Sequence, residues 1–314
     1  MNDIAVFGGS AHPDLAREIC AHLGVPLQPA VLQRFANDCL EVQLRANCRE
    51  RDVFLIQPLG PPVQEHLLEL LFMLDAARGA SAARTTAVIP FYAYARSDKK
   101  NAPRISIGAR LVADLLVTAG ADRVLTMTLH SPQVHGFFSV PVDHLHARRE
   151  LAQHFRGSDL TNVVVVAPDL GYAKEAAAFA RMLGVPMAAG AKQRINDERV
   201  SISSVIGEVA HRDAIIIDDE IAKGTTVFEL MARLRERQAR SFRVACTHGV
   251  FAGDVLQRLQ QTADVLEVVC TNTVPIAAAK RTPKLTVLSI AAALAEAMRR
   301  IHEGESVSAL FESP

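Results

Sequence analysis

The chain has 314 residues, of which 49% are hydrophobic and 22% charged, enough for two ordinary domains with real cores. Its 34 Lys and Arg balance 34 Asp and Glu, which excludes a global field for nucleic acid or an anionic membrane and leaves any anionic ligand to local groups. Five cysteines (Cys20, Cys39, Cys48, Cys246, Cys270) without a CxxC pair argue against a disulfide framework or a zinc site.

No apolar run approaches about 18 residues, and "MNDIAVFGGS" is not a basic-then-apolar leader, so a cytoplasmic soluble protein is expected. Short runs rich in Val and Ile suit strands buried on both faces, beginning with "IAVFGG" (4–9) and "DVFLIQ" (52–57). "TTAVIP" (85–90) runs into "FYAYARSDKKNAPRISIG" (91–108), which places Arg96, Lys99, Lys100 and Arg104 within nine residues. A solvated surface loop is the bland reading. Its position after a buried strand, with two tyrosines inside it, instead puts positive charge where an anionic ligand would bind. "ISIGARLVADLLVTAG" (105–120) predicts a helix with Leu111, Val112 and Leu115 on one stripe and Gly120 as its stop.

"RVLTMT" (123–128) ends two residues before His130. A lone histidine is more often structural, yet one at a strand end can point into a crevice. "VVVVA" (163–167) leads into "PDLGYAKE", which offers Asp169, Gly171 and Lys174 in a short turn before a helix, an arrangement that binds phosphate through backbone N–H groups. The segment 188–204 has few apolar residues, carries Lys192 and Arg194, and reads as a mobile basic loop able to close over such a site.

"AIIID" (214–218) runs into Asp218 and Asp219, then "AKGTT" (222–226), then "VFELMARL" (227–234), whose Val227, Leu230, Met231 and Leu234 share a helical face. Thr225 or Thr226 capping the helix is the bland explanation. The functional one is that adjacent carboxylates accept from two sugar hydroxyls while the turn donates to a phosphate.

Alternating strands and helices predict a mostly parallel sheet covered on both faces. "LGVP" recurs at 23–26 and 183–186, and "VFLIQPL" (53–59) falls on "RDAIIID" at nearly the same offset. Two related α/β halves are therefore expected, 1–145 and 146–295, with 296–314 packing back. Ligands in such sheets sit outside the carboxyl ends of the strands.

The residues also resemble a known family. "FGGSAHPDLA" (7–16), "FANDCLEVQ" (35–43), "AVIPFYAYARSDKK" (87–100), "GADRVLTMTLHSPQVHGFFSVPVDHL" (120–145), "IIIDDEIAKGTT" (215–226), "THGVFAG" (247–253), "TNTVPI" (272–277) and "IHEGESVSALF" (301–311) are similar to ribose-phosphate diphosphokinases, the phosphoribosyl pyrophosphate synthetases, over nearly the whole chain. The resemblance implies an α/β fold of two phosphoribosyltransferase-like domains, each a mostly parallel sheet flanked by helices. It also implies Mg²⁺ dependence, hexamers or related oligomers, and transfer of a diphosphate from ATP to the anomeric hydroxyl of ribose 5-phosphate with release of AMP.

Carried over by position, Phe35 and Asn37 would contact adenine from a neighbouring subunit, and Arg96, Ser97, Asp98 and Lys99 would complete the ATP side. Arg96, Lys192 and Arg194 would be catalytic. His130 and Asp169 would serve the metal, and Asp169, Gly171 and Lys174 the diphosphate loop. Asp218 and Asp219 would hold the ribose hydroxyls, with Lys223, Gly224, Thr225 and Thr226 at the 5-phosphate.

Several positions depart from the family pattern. Cys39 stands for a glutamate, Ser97 for a glutamine and Thr128 for an aspartate. Tyr172 replaces a glycine and Glu175 a basic residue in the diphosphate loop. Ala222 and Lys223 replace an Asp or Ser and a Thr, and Glu220 an apolar residue. Three readings follow: a working ribose-5-phosphate diphosphokinase; one acting on a larger 5-substituted ribose such as ADP-ribose; or a weak regulatory paralogue, in which Tyr172 and Glu175 oppose a diphosphate by volume and charge.

Overall fold

The computed structural model describes residues 3–194 and 200–310, without the side chains of 192–194, 200, 201, 203 and 309. The chain divides into two compact units, Met1–His146 with Thr273–Pro275 and Ser289–Pro314, and Ala147–Asn272 with Ile276–Leu288.

The first unit runs β1 (Ile4–Gly8), α1 (Pro13–Leu23), β2 (Leu27–Gln28), β3 (Ala30–Arg34), β4 (Leu40–Leu44), β5 (Asp52–Ile56), α2 (Val63–Gly79), β6 (Arg84–Ile89), α3 (Gly108–Ala119), β7 (Arg123–Met127) and β8 (Val142–Leu145). Its sheet has the order β2-β1-β5-β6-β7-β8 with every pairing parallel, and β3 and β4 form a separate antiparallel hairpin.

The second unit runs α4 (Arg148–Arg156), β9 (Val163–Ala167), α5 (Ala173–Leu183), β10 (Met187–Arg194), β11 (Val200–Ile206), β12 (Asp213–Ile221), α6 (Thr225–Glu236), β13 (Ser241–Gly249), α7 (Val255–Gln261), β14 (Val265–Thr271) and β15 (Leu285–Leu288). Its order is β11-β10-β9-β12-β13-β14-β15, parallel except for β10 with β11. A last helix, α8 (Ala291–Glu303), packs against α1 in the first unit. The C-terminal segment of that unit therefore starts at Ser289 rather than 296.

The internal repeat has a direct structural counterpart. Both "LGVP" segments end a helix: Gly24 and Gly184 take left-handed φ of 69° and 70°. The next residue then bonds back into the last turn, Val25 N to Cys20 O and Val185 N to Ala180 O, each at 3.1 Å. Each helix then returns its chain to the strand beside the one that preceded it, β2 beside β1 and β10 beside β9.

Two local expectations are corrected. In α3 the buried residues are Ala109, Val112, Ala113 and Leu116, an i, i+3, i+4, i+7 stripe, while Leu111 and Leu115 are 54% and 40% exposed. The apparent stripe follows the leucines, whereas the small alanines carry the packing. In the segment 188–204 the described residues are paired strand rather than open loop: Ala189–Arg194 pairs antiparallel with Val200–Ile206. Its buried Ala188 and Ile202, with Val205 just beyond it, join the core beside α6, and residues 195–199 lie outside the described residues.

Candidate active site

In the first unit the candidate residues lie on three segments after strand ends. Phe35 is 48% exposed in the turn of the β3–β4 hairpin. The turn is closed by Phe35 N donating to Cys39 O at 2.9 Å and by Cys39 N donating to the Asn37 side chain at 3.2 Å. Cys39 is itself exposed there.

The basic loop after β6 begins with a 3₁₀ turn, Ala93–Arg96, and leaves Arg96 and Lys99 exposed and Ser97 and Asp98 half-buried. Ser97 also has a structural role, because its hydroxyl oxygen accepts from Gly108 N at 2.9 Å where α3 begins. Tyr92, one of the two tyrosines in this loop, belongs to the core rather than to a ligand surface. It is 2% exposed, its hydroxyl donates to Ala109 O at 2.9 Å, and it meets Phe138 edge-on. After β7, His130 is exposed beyond Thr128, which sits at a φ of 43°.

In the second unit the strands deliver the remaining groups. The turn after β9 folds on itself, with Tyr172 N donating to Asp169 Oδ1 at 3.1 Å and to Asp169 O at 3.3 Å. Gly171 and Lys174 are exposed beside it. Glu175, expected to repel a diphosphate, accepts from Arg148 Nη1 of α4 at 2.8 Å, so its charge is paired. The Tyr172 ring packs on the core face that also holds Ala167, Ile215 and Ile217. Strand alternation puts Asp219, 2% exposed, on that same face of β12. Burial first, then the charges of Asp219, Asp218 and Glu175, hold the phenol well above its ordinary pKa, so it stays neutral.

Asp218 is half-buried, sits opposite Cys246 of β13, and accepts from Asp219 N at 2.9 Å. The two aspartates thus differ: Asp218 is partly open, Asp219 covered. The helix after them is not capped by a threonine side chain. Gly224 is the N-cap at φ 68°, and Thr225 and Thr226 are its first residues. A Cβ at Gly224 would stand 2.9 Å from Val255 Cγ1 and 3.2 Å from Phe228 Cε2, so the turn needs glycine for space as well as conformation. Phe251 N and Ala252 N donate to Ile221 O and Ala222 O at 2.9 and 3.0 Å, and Lys280 Nζ reaches Phe251 O at 3.0 Å, fixing the turn from the far side. Lys223 projects exposed. Lys192 and Arg194 have their backbone in β10, and their side chains lie outside the described residues.

Three contributors carry no local sequence signal: Arg148, which neutralises Glu175; His144, which bonds the turn before His130; and His248, 3% exposed and in register with Glu220. Each depends on strand or helix pairing far along the chain. Among the described residues, no helix is long and apolar enough to cross a membrane.

Two parallel-rich sheets, one with a basic loop and the other with paired carboxylates before a glycine-opened helix, define an α/β protein whose candidate groups stand at strand ends. The sequence profile for the N-terminal domain of ribose phosphate pyrophosphokinase matches residues 4–120, and that of the phosphoribosyl synthetase-associated domain matches 193–312. A Streptomyces coelicolor protein, provisionally named a ribose-phosphate pyrophosphokinase, is 74% identical over 100% of this chain and 99% of its own. The ribose-phosphate pyrophosphokinase of Deinococcus radiodurans is 48% identical over 98% of each chain. The crystal structure of phosphoribosylpyrophosphate synthetase from Mycobacterium smegmatis superposes with a TM-score of 0.89 at 40% identity, covering 96% of this chain and 99% of that one. The chain belongs to the ribose-phosphate pyrophosphokinase family.

Proposed function

We infer that the chain transfers the diphosphate of ATP to the anomeric hydroxyl of ribose 5-phosphate, yielding phosphoribosyl pyrophosphate and AMP for nucleotide biosynthesis. The observation that carries this reading is the end of β12, where half-buried Asp218 precedes a left-handed Gly224 that opens α6 with two threonines. Asp218, the partly open carboxylate, accepts from ribose hydroxyls, while Asp219 stays covered on the other face of β12. The first amides of α6, with Lys223, Thr225 and Thr226, receive the 5-phosphate. Asp169, Gly171 and Lys174 form the diphosphate loop. Pairing of Glu175 with Arg148 removes the charge objection that favours a regulatory paralogue.

On the ATP side, Phe35 and Asn37 offer an exposed ring and amide for adenine, and Arg96, Ser97, Asp98 and Lys99 surround the phosphates. Lys192 and Arg194 stabilise charge on the transferred group, so that catalysis comes from positioning and electrostatics without a covalent intermediate. Among the described residues no three His, Cys, Asp or Glu side chains cluster as a metal cage. That donor set suits Mg²⁺, which keeps several waters and binds through one or two protein groups together with substrate phosphates. His130 in the first unit and Asp169 in the second are each a group that would serve Mg²⁺, and the ion would neutralise charge on the phosphates.

Self-association, as a hexamer or related oligomer, is supported by apolar side chains on outer helical faces: Leu68 and Phe72 of α2, Leu111 and Leu115 of α3. A cytoplasmic location fits these substrates.

The deciding measurement is AMP released from Mg-ATP with ribose 5-phosphate, with ADP-ribose and without acceptor. Release that depends on ribose 5-phosphate supports the reading. Release only with ADP-ribose redirects it to a larger acceptor, and none with either, while ATP binds, sinks it.

A further inference from the structure

The turn that ends in His130 is held in an unfavourable shape by a side chain from the neighbouring strand. Thr128 is β-branched and sits at a φ of 43°, where such residues are rarely found. A strained backbone persists only where its surroundings over-determine it. Two bonds do so here: Thr128 N donates to Leu145 O at 2.8 Å, and Leu129 N donates to His144 Nε2 at 2.8 Å. The first extends the β7–β8 ladder, in which Thr126 and Met127 already face His144 and Leu145. The second lies beyond the reach of the ladder and requires an acceptor on the side chain at 144.

Because Nε2 accepts, the imidazole carries its proton on Nδ1, which defines its tautomer. The ring is half-buried and lies 4.5 Å from that of His146, tilted by 47°. Leu129 is 6% exposed and Ser131 9%, so the residues flanking His130 are held in the protein while His130 is exposed.

We propose that His144 is a positioning residue, whose Nε2 fixes the Thr128–Leu129 turn and thereby presents His130 to the metal-bound phosphates. The inference rests on the reading of His130 given above. It assigns His144 no contact with substrate: its action passes through the Leu129 amide.

Two substitutions separate this role from simple packing. His144→Gln places a side-chain carbonyl at similar reach, and His144→Leu fills the space without an acceptor. Amide hydrogen exchange at Leu129, read without nucleotide or metal, accelerates about tenfold or more in His144→Leu and stays protected in His144→Gln. Turnover falls about tenfold in His144→Leu with KM for ATP nearly unchanged, and His144→Gln recovers most of it. A His144→Leu protein with unchanged Leu129 exchange and turnover overturns the inference, as does a Gln variant no better than Leu. His130→Ala is measured alongside. Loss of turnover there without loss in His144→Leu sinks the positioning role alone, whereas full activity in His130→Ala removes the reading of His130 itself.

Discussion

The two units share a frame, and two of its strand ends, those of β5 and β12, are used in opposite ways. Counted from the aspartates that open β5 and β12, Asp52 and Asp213, the sixth residue is Gln57 in one and Asp218 in the other. Both opening aspartates clamp an arginine where the next strand begins, Arg84 in the first unit and Arg240 in the second. At the carboxyl end the likeness stops. Gln57 is fully buried and tied into a polar knot: its Oε1 accepts from Ala11 N at 3.1 Å and its Nε2 donates to Glu69 Oε1 at 2.6 Å. Glu69, 3% exposed, also accepts from Ser10 N at 2.6 Å and Ser10 Oγ at 2.7 Å. Even a Cβ at Gly9 would stand 2.4 Å from Gln57 Oε1. The end of β5 satisfies its polar groups internally, while the end of β12 leaves Asp218 partly open. A doubly wound sheet supplies the place for a ligand, and the side chains at that place decide whether one can enter.

The most direct way to break this comparison is to exchange the sixth residues. Asp218→Asn removes a charged acceptor for ribose, and kcat/KM for ribose 5-phosphate should fall about 100-fold. Gln57→Asp, which places a second carboxylate beside Glu69, should lower stability and leave substrate KM nearly unchanged. Steady-state kinetics with denaturation midpoints checks both. If Gln57→Asp altered substrate KM while Asp218→Asn did not, the assignment of open and sealed ends would be reversed.

Next in size is the knot itself. Glu69→Leu leaves the buried Gln57 Nε2 with only its longer bond to His66 O, 3.3 Å, and takes the acceptor from the amide and hydroxyl of the exposed Ser10. The expected cost is about 1–2 kcal/mol in urea unfolding, since one buried donor is weakened and a buried donor left unsatisfied costs roughly 1–3 kcal/mol. Activity of the remaining folded protein should be retained. A loss of activity exceeding the loss of folded protein would show that the first strand end takes part in catalysis.

These contrasts also separate what is legible in the sequence from what is not. Runs such as Val163–Ala167, buried throughout, announce their strands because every residue is apolar. The aspartate pair is legible because charge at the end of such a run is conspicuous. The segment 188–204 reads as a loop because it mixes serines and basic residues with few apolar ones, although Ala188, Ala189 and Ile202 among its described residues reach the core. Glu175 looks repulsive in sequence because its partner, Arg148, lies 27 residues away on another helix. The roles of His144 and Gln57 depend on strand register, which no short stretch of sequence displays.

The Arg148–Glu175 pair gives a smaller test of the open end. Arg148→Leu leaves Glu175 unpaired in the first turn of α5. KM for ribose 5-phosphate should rise about fivefold, the equivalent of roughly 1 kcal/mol, the upper part of the range for a partly exposed ion pair. Adding Glu175→Gln should restore it. An unchanged KM in Arg148→Leu would mean that the charge of Glu175 does not reach the loop.

The smallest effect concerns two tyrosines, each beyond a strand end, Tyr92 sealed in the first unit and Tyr172 over the carboxylates of the second. Tyr92→Phe removes one buried hydrogen bond, to Ala109 O, and should cost about 1 kcal/mol at pH 7. Its pH dependence is more telling. Burial raises the Tyr92 pKa above the ordinary 10.0, so the folded state keeps a proton that the unfolded chain releases. That contribution is complete below pH 10 and is lost as pH climbs from there towards the folded value. Phenylalanine has no such proton, so its stability curve should fall less steeply in alkali and approach that of the native chain. The thiols of Cys20 and Cys270, pushed up by burial to about 11 and about 12, steepen both curves equally and cancel in the difference. Parallel curves above pH 10 would show that the Tyr92 phenol is not held neutral by the fold.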